Sequence, residues 1–244
     1  MLHDTSHRPW PPPERPWALA MRWHDLLFMH WPIPPEQLRS AVPPCLALDT
    51  FEGEAWIGVV PFRMSGVRPR ALPPLPYLSA FPELNVRTYV TTGGKPGVWF
   101  FSLEAARRLA VRVARRMAYL PYYDARMSVQ PAGDGVHYVS ERTHRGAPPA
   151  AFRATYGPTG PAYRAPPGTL DHWLTERYCL YSADRQARVW RGDIHHARWP
   201  LQPAAAEVEV NTMTRQIGLR LPDVPPLLHF ARRQEVVAWT LRRA

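Results

Sequence analysis

Between residues 83 and 91 the side chains alternate with a period of two. Glu83, Asn85, Arg87, Tyr89 and Thr91 interleave with Leu84, Val86, Thr88 and Val90. In a β-strand that period sends one set to each face, so the pattern predicts a strand with a polar, hydrogen-bonding face and a nearly apolar one. Residues 97–102 form a second strand-like run. Between the two, Thr92-Gly93-Gly94-Lys95-Pro96 carries the paired glycines that a tight hairpin turn needs, since glycine reaches positive φ without a Cβ clash. Beyond the hairpin the period changes. Leu109, Val113 and Met117 recur near helical spacing, Glu104 falls in a first turn and Ser102 can cap, which predicts a helix from Leu103 to about Ala118. The apolar face of strand 83–91 is expected to pack beneath that helix.

Elsewhere the chain reads as many short strands. Residues 54–64 are β-branched and aromatic, with Pro61 confined to an edge or bulge. Trp23–Trp31 suits a strand or a short helix, and Pro34-Pro35-Glu36 starts a helix ending near Val42. The five prolines of 67–82 predict a loop, and Gly133-Asp134-Gly135 interrupts further strands over 121–156. Thr169 caps a short helix containing Leu170, Trp173 and Leu174, and strand-like runs follow at 177–183, 187–196, 205–212, 226–230 and 234–241. These elements predict a β-rich α+β fold built on a closed or strongly bent sheet. Residues 1–16, with Pro9, Pro11, Pro12, Pro13 and Pro16, read as an arm that is disordered or draped over a neighbour and dispensable to folding, leaving 17–244 as a single domain.

Composition narrows the function classes. The chain has 244 residues, 45% of them hydrophobic and 11% aromatic, enough for a sizeable core despite 30 prolines. Its net charge of +10 raises the question of nucleic acid, but all but one of the 30 basic residues are Arg, scattered in pairs such as Arg107-Arg108 and Arg232-Arg233. Scattered pairs mark solvated faces more than a phosphate-tracking stripe, so nucleic acid is the weakest of three readings. No apolar run is long enough to span a bilayer, the N-terminus lacks a signal-like apolar core, and the expected compartment is the cytoplasm. Cys45 and Cys179 are too few for a disulfide framework, and the ten histidines show no compact metal-ligand spacing. No metal and no cofactor are expected. Phosphate-loop and Gly-x-Ser-x-Gly patterns are absent.

Two stretches carry candidate chemistry. The polar face of 83–91 is either solvent-exposed or lines a cavity inside a curved sheet. In the second, Glu176, Tyr178 and Leu180 share one face and Arg177, Cys179 and Tyr181 the other. Either set could border a pocket, or Arg177 and Glu176 could form an ion pair bracketing a buried Cys179. Of the adjacent pair His195-His196, at most one ring faces a given site.

These stretches resemble a bacterial family, the DUF2071 or YqjF-like proteins, from about Trp23 to Trp239. The resemblance is carried by Asp49-Thr50-Phe51-Glu52-Gly53 before Ala55-Trp56, by Phe81-Pro82-Glu83-Leu84-Asn85-Val86-Arg87-Thr88-Tyr89, by Gly97-Val98-Trp99-Phe100-Phe101-Ser102-Leu103, by Thr175-Glu176-Arg177-Tyr178-Cys179-Leu180-Tyr181 and by Ile194-His195-His196. It brings no established activity. It implies the acetoacetate decarboxylase-like fold, a cone-shaped β-barrel with a central cavity and a few peripheral helices. Acetoacetate decarboxylase works through a Schiff-base lysine beside a second lysine. Its Lys-Lys-Leu-Gly-Tyr-Pro segment is similar to Arg115-Arg116-Met117-Ala118-Tyr119-Leu120-Pro121, which has one extra residue before the proline and arginine in place of both lysines. A guanidinium is no amine nucleophile, so Schiff-base chemistry is not expected there, and Lys95, the one lysine, falls in the hairpin turn.

The expectation is therefore a cavity for a small anionic or carbonyl-bearing molecule, lined by Asn85, Arg87, Tyr89, Arg115, Arg116, Tyr178 and His196. Glu83 or Glu176 are the candidates for general acid or base, and Arg87 for stabilising negative charge. The alternative is a ligand-binding or sensor domain without catalysis. Aromatic and proline-rich segments leave room for a homo-oligomer.

Overall fold

The computed structural model describes residues 4–76, 79–106 and 119–244. Strand β1 (Leu19–Ile33) leads into helix α1 (Pro35–Arg39), followed by β2 (Ala47–Leu48), β3 (Ala55–Pro69), β4 (Phe81–Thr92) and β5 (Lys95–Ala105). Then come β6 (Tyr122–Ala132), β7 (Gly135–Arg142), β8 (Ala151–Pro158), helix α2 (Leu170–Thr175), β9 (Cys179–Ala183), β10 (Val189–His196), β11 (Gln202–Asn211), a 3₁₀ turn (Arg215–Ile217), β12 (Leu227–Ala238) and β13 (Arg242–Arg243).

Two closures shape the sheet. Strands β4, β5, β6, β7, β8, β11, β12, β1 and β3 pair in sequence round a nine-strand mixed barrel, β5–β6 being parallel. The β10–β12 and parallel β5–β9 pairings close a second ring of seven strands through β9 and β10. Both rings share β12, β1, β3, β4 and β5, so each face of those strands is enclosed. At the β5–β9 seam a Cβ on Gly97 would lie 2.7 Å from both the carbonyl oxygen and Sγ of Cys179. Only glycine permits that approach.

The hairpin forms as the sequence predicts: Gly93 and Gly94 take φ of 55° and 70° between β4 and β5. Pro61 sits where β1 bulges past β3, with Asp25 at φ 48°, as a proline in a central strand requires. The predicted helix 103–118 needs correction at its start. Leu103–Ala105 continue β5, Ser102 Oγ contacts Glu104 Oε2 at 3.2 Å and caps nothing, and 107–118 lie outside the described residues. The apolar face of β4 packs into the nine-strand barrel, where Leu84, Val86 and Val90 join Leu27, Met29, Tyr138, Phe152 and Tyr156.

The arm lies against the strands. Arg8 is 8% exposed, donates to Ile194 O at 2.6 Å and to Trp10 O at 3.1 Å, and stacks 4.6 Å over Tyr178. Trp239 Nε1 donates to Arg15 O at 2.6 Å. Prolines deny this segment a ladder of its own, yet its side chains bind the backbone of others.

Candidate functional site

The polar face of β4 looks into the seven-strand ring. Glu83 and Asn85 are 4% and 5% exposed, Tyr89 is buried and Arg87 partly so, so this face is enclosed rather than open to solvent. On β3, directly opposite, stand Phe62, Val60 and Gly58. Phe28 and His30 come from β1, and Trp199, from the segment after β10, packs 4.9 Å edge-on to Phe28 and 5.8 Å over Trp23.

The site has two ends. Glu83 and Arg87 are four residues apart on one strand, about 13 Å at the usual rise. At the Glu83 end, Tyr122 OH donates to Oε2 at 2.9 Å. Burial, together with the Glu104 carboxylate across the sheet, pushes the Glu83 carboxyl up to about 8, against the pull of Tyr122. Near neutral pH Glu83 holds its proton and is a donor.

At the other end Arg87 lies 5.2 Å over the Phe28 ring, and its Nη2 reaches Tyr89 OH and Leu174 O, each at 3.4 Å. Tyr89 OH is 2.7 Å from His30 Nε2 and 2.8 Å from Leu174 O. A Cβ on Gly58 would come within 3.0 Å of the His30 ring and 3.4 Å of Arg87, so glycine makes room for both. Behind them His229 Nε2 contacts Asp171 Oδ1 at 3.1 Å, and Tyr163 OH donates to Asp171 Oδ2 at 2.8 Å. Several polar atoms of this interior are buried with no partner among the described residues: Asn85 Oδ1, Arg87 Nε, His30 Nδ1, His229 Nδ1 and the indole nitrogens of Trp23 and Trp199. A buried polar atom left unmet costs about 1–3 kcal/mol, so each of these atoms calls for an ordered water or a bound molecule.

Glu176, Tyr178 and His196 stand behind Trp199. Glu176 accepts from Tyr178 OH and, at 2.9 Å, from the Trp199 backbone N–H. Burial and that carboxylate hold the Tyr178 phenol well above its ordinary range. The His196 ring stacks 4.8 Å on Tyr178, and its nitrogens face Ala197 O and Arg177 O. The Arg177–Glu176 ion pair is not formed. Arg177 pairs with Asp49 and lies over the rings of Trp173 and Tyr89 at 4.3 and 4.7 Å, while Cys179 is buried as expected. Arg115 and Arg116 lie outside the described residues.

Sequence reasoning missed Phe28, His30, Trp199, Asp171 and His229. For β1 a signal was present: period two sorts Leu26, Phe28 and His30 to one face and Leu27, Met29 and Trp31 to the other. The rest come from distant segments that local spacing cannot join.

The profile of DUF2071, described as an uncharacterized conserved protein, matches residues 20–235. The chain belongs to the DUF2071 family. The uncharacterized protein YqjF of Bacillus subtilis is 48% identical over 231 residues, which are 95% of this chain and 94% of YqjF. Among solved structures, the enduracididine biosynthesis enzyme MppR is similar with a TM-score of 0.65 at 11% identity, covering 94% of this chain and 88% of that one. An acetoacetate decarboxylase of Legionella pneumophila gives 0.60 at 12%, covering 98% and 94%. DUF2071 therefore shares the acetoacetate decarboxylase-like barrel expected from its sequence, and these structural relatives include small-molecule-binding enzymes. Among the described residues no helix is long and apolar enough to cross a membrane.

Proposed function

We propose that the seven-strand ring binds a small anionic or carbonyl-bearing molecule, with Arg87 as its anion contact and Asn85, Tyr89 and Trp199 around it, in a protein acting in the cytoplasm. The observation that carries this reading is the cluster of buried, unpartnered polar atoms centred on Arg87 Nε and Asn85 Oδ1. The ring also supplies what a small carboxylate needs: a planar, partly buried guanidinium fork held against Phe28. MppR has been crystallised with pyruvate and with the condensation product of pyruvate and imidazole 4-carboxaldehyde, which supports a ligand of this kind.

If a reaction follows binding, it does not run through a Schiff base. Lys95 begins β5 at the hairpin, its amine 5.5 Å from the Trp10 ring, and arginines occupy 115 and 116. Proton transfer next to a carbonyl is the chemistry the site supports, with Glu83 holding a proton to give and Glu176 as the second carboxyl. The distance between Glu83 and Arg87 calls for an elongated ligand or for two separate tasks. A binding or sensor role without turnover is the competing reading, and turnover of the bound molecule separates them.

Calorimetric titration with pyruvate and phenylpyruvate, alongside native mass spectrometry for a co-purifying molecule, tests the proposal. Arg87→Lys keeps the charge and loses the fork. It is expected to fold normally and to bind at least tenfold more weakly, about 1.4 kcal/mol. Unchanged affinity in both Arg87→Lys and Arg87→Ala would sink the assignment.

A further inference from the structure

Around Tyr89 the hydrogen bonds leave one consistent assignment of protons. The phenol has one proton and two lone pairs. Leu174 O, at 2.8 Å, can only accept, so it takes the phenol proton. Arg87 Nη2, at 3.4 Å, can only donate and meets one lone pair. The other lone pair faces His30 Nε2 at 2.7 Å, which must therefore carry the imidazole proton. His30 Nδ1 is left as a bare lone pair. It is fully buried and has no donor among the described residues. Burial and the neighbouring Arg87, His229 and Arg177 hold the ring's proton affinity well below its ordinary value, so the lone pair stays bare at neutral pH.

His229 repeats the arrangement. The Asp171 carboxylate fixes the proton on His229 Nε2, and its Nδ1 is likewise a buried acceptor without a donor among the described residues. The register pairs Phe28 with His229 and His30 with Leu227, which places the two imidazoles diagonally on the same face of β1 and β12, about 7 Å apart at Cβ. The Arg87 end of the site thus offers a cation with an unused Nε donor beside two imidazole acceptors. An anionic group alone answers the first and leaves the second unmet.

We infer that the molecule bound here is a 2-hydroxy carboxylate, its carboxylate on Arg87, its hydroxyl donating to His30 Nδ1 and its apolar body against Phe28 and Trp199. This rests on the reading of the seven-strand ring as an anion site. An ammonium would also donate to His30, but Arg87 and Arg177 repel it. A 2-oxo group brings only lone pairs to meet a lone pair. Tyr89 acts on the ligand through His30 and is a positioning residue.

The test uses the full chain and three acids of nearly one shape: 3-phenyllactate, 3-phenylpropionate and phenylpyruvate, titrated by calorimetry. In the unaltered protein 3-phenyllactate is expected to bind at least tenfold more tightly than either of the others. In His30→Phe that preference should fall to within about twofold while binding still depends on Arg87. Tyr89→Phe keeps the imidazole but frees its tautomer, and should lower the preference without abolishing anion binding. This second variant keeps the test decisive if His30→Phe does not fold. Equal binding of 3-phenyllactate and 3-phenylpropionate, both lost in Arg87→Ala, overturns hydroxyl recognition and leaves the anion site standing. Tightest binding of phenylpyruvate also overturns it. Absence of binding by all three overturns both readings.

Discussion

The five strands shared by the two rings show their two faces to very different interiors. On the nine-strand side polar groups are answered within the protein. Glu104 pairs with Arg142, Tyr138 OH donates to Glu83 O at 2.7 Å and Tyr156 OH to Asp25 O at 3.0 Å, among closely packed Phe152, Leu84 and Val86, with Ser140 Oγ an exception. On the seven-strand side large aromatic rings surround donors and acceptors that nothing among the described residues answers. One sheet thus separates a core from the interior proposed as a site. Stability is concentrated where polar groups are satisfied, and the proposal puts recognition where they are not.

The sharpest way to break that comparison is to unbalance the satisfied side. Arg142 and Glu104 side chains are 1% and 0% exposed. Arg142→Ala leaves a carboxylate buried without its cation, a change that typically costs about 3–5 kcal/mol. A fall in Tm of roughly 10 °C is expected in calorimetry, with the selectivity for small acids unchanged. A variant as stable as the parent would mean that the nine-strand interior is not the core described here.

That division was only half visible in the sequence. Alternation along 83–91 revealed both faces of β4 and the glycine pair its hairpin, because both are local consequences of backbone geometry. The same alternation could not say that both faces are enclosed. That follows from β9 returning in parallel beside β5, a contact 82 residues away in sequence. Residues 103–105 misled because a strand end and a helix start share the same few residues, and a Ser-x-Glu segment satisfies a cap pattern as readily as it lies along β5. The partner of Arg177 was misassigned for a similar reason. Glu176 is its neighbour in the chain, while Asp49 becomes its neighbour only in the fold.

A second way to sharpen the contrast uses pH. The Glu83 carboxyl, at about 8 in the folded chain against an ordinary 4.5, binds its proton more tightly folded than unfolded. Its contribution is fully present below about 4.5 and is lost as pH rises through the folded value, at up to about 1.4 kcal/mol per pH unit. Glu83→Gln removes this dependence and keeps an acceptor for Tyr122. The variant is expected to match the parent near pH 5 and to exceed it by roughly 2–3 kcal/mol near pH 8.5, read from urea midpoints. Parallel stability curves would place the carboxyl in water and out of the site.

The smallest expected effect tests whether the two rings respond separately. Arg8 and His7 lie against β10, which belongs only to the seven-strand ring: His7 Nε2 is 2.9 Å from His196 O, and Arg8 Nη1 is 2.6 Å from Ile194 O. Deleting residues 1–16 removes these bonds and the cation over Tyr178, contacts that together are worth about 1–2 kcal/mol. For a chain of this size that is a Tm lowered by roughly 2–8 °C. The decisive readout is where the loss appears. Hydrogen exchange should speed up in β9 and β10 and leave β6, β7 and β8 as protected as before, since the arm makes none of the contacts above with them. Uniform loss of protection would show that the rings unfold as one unit. An unchanged profile with an unchanged Tm would show that the arm adds nothing to the wall behind Trp199.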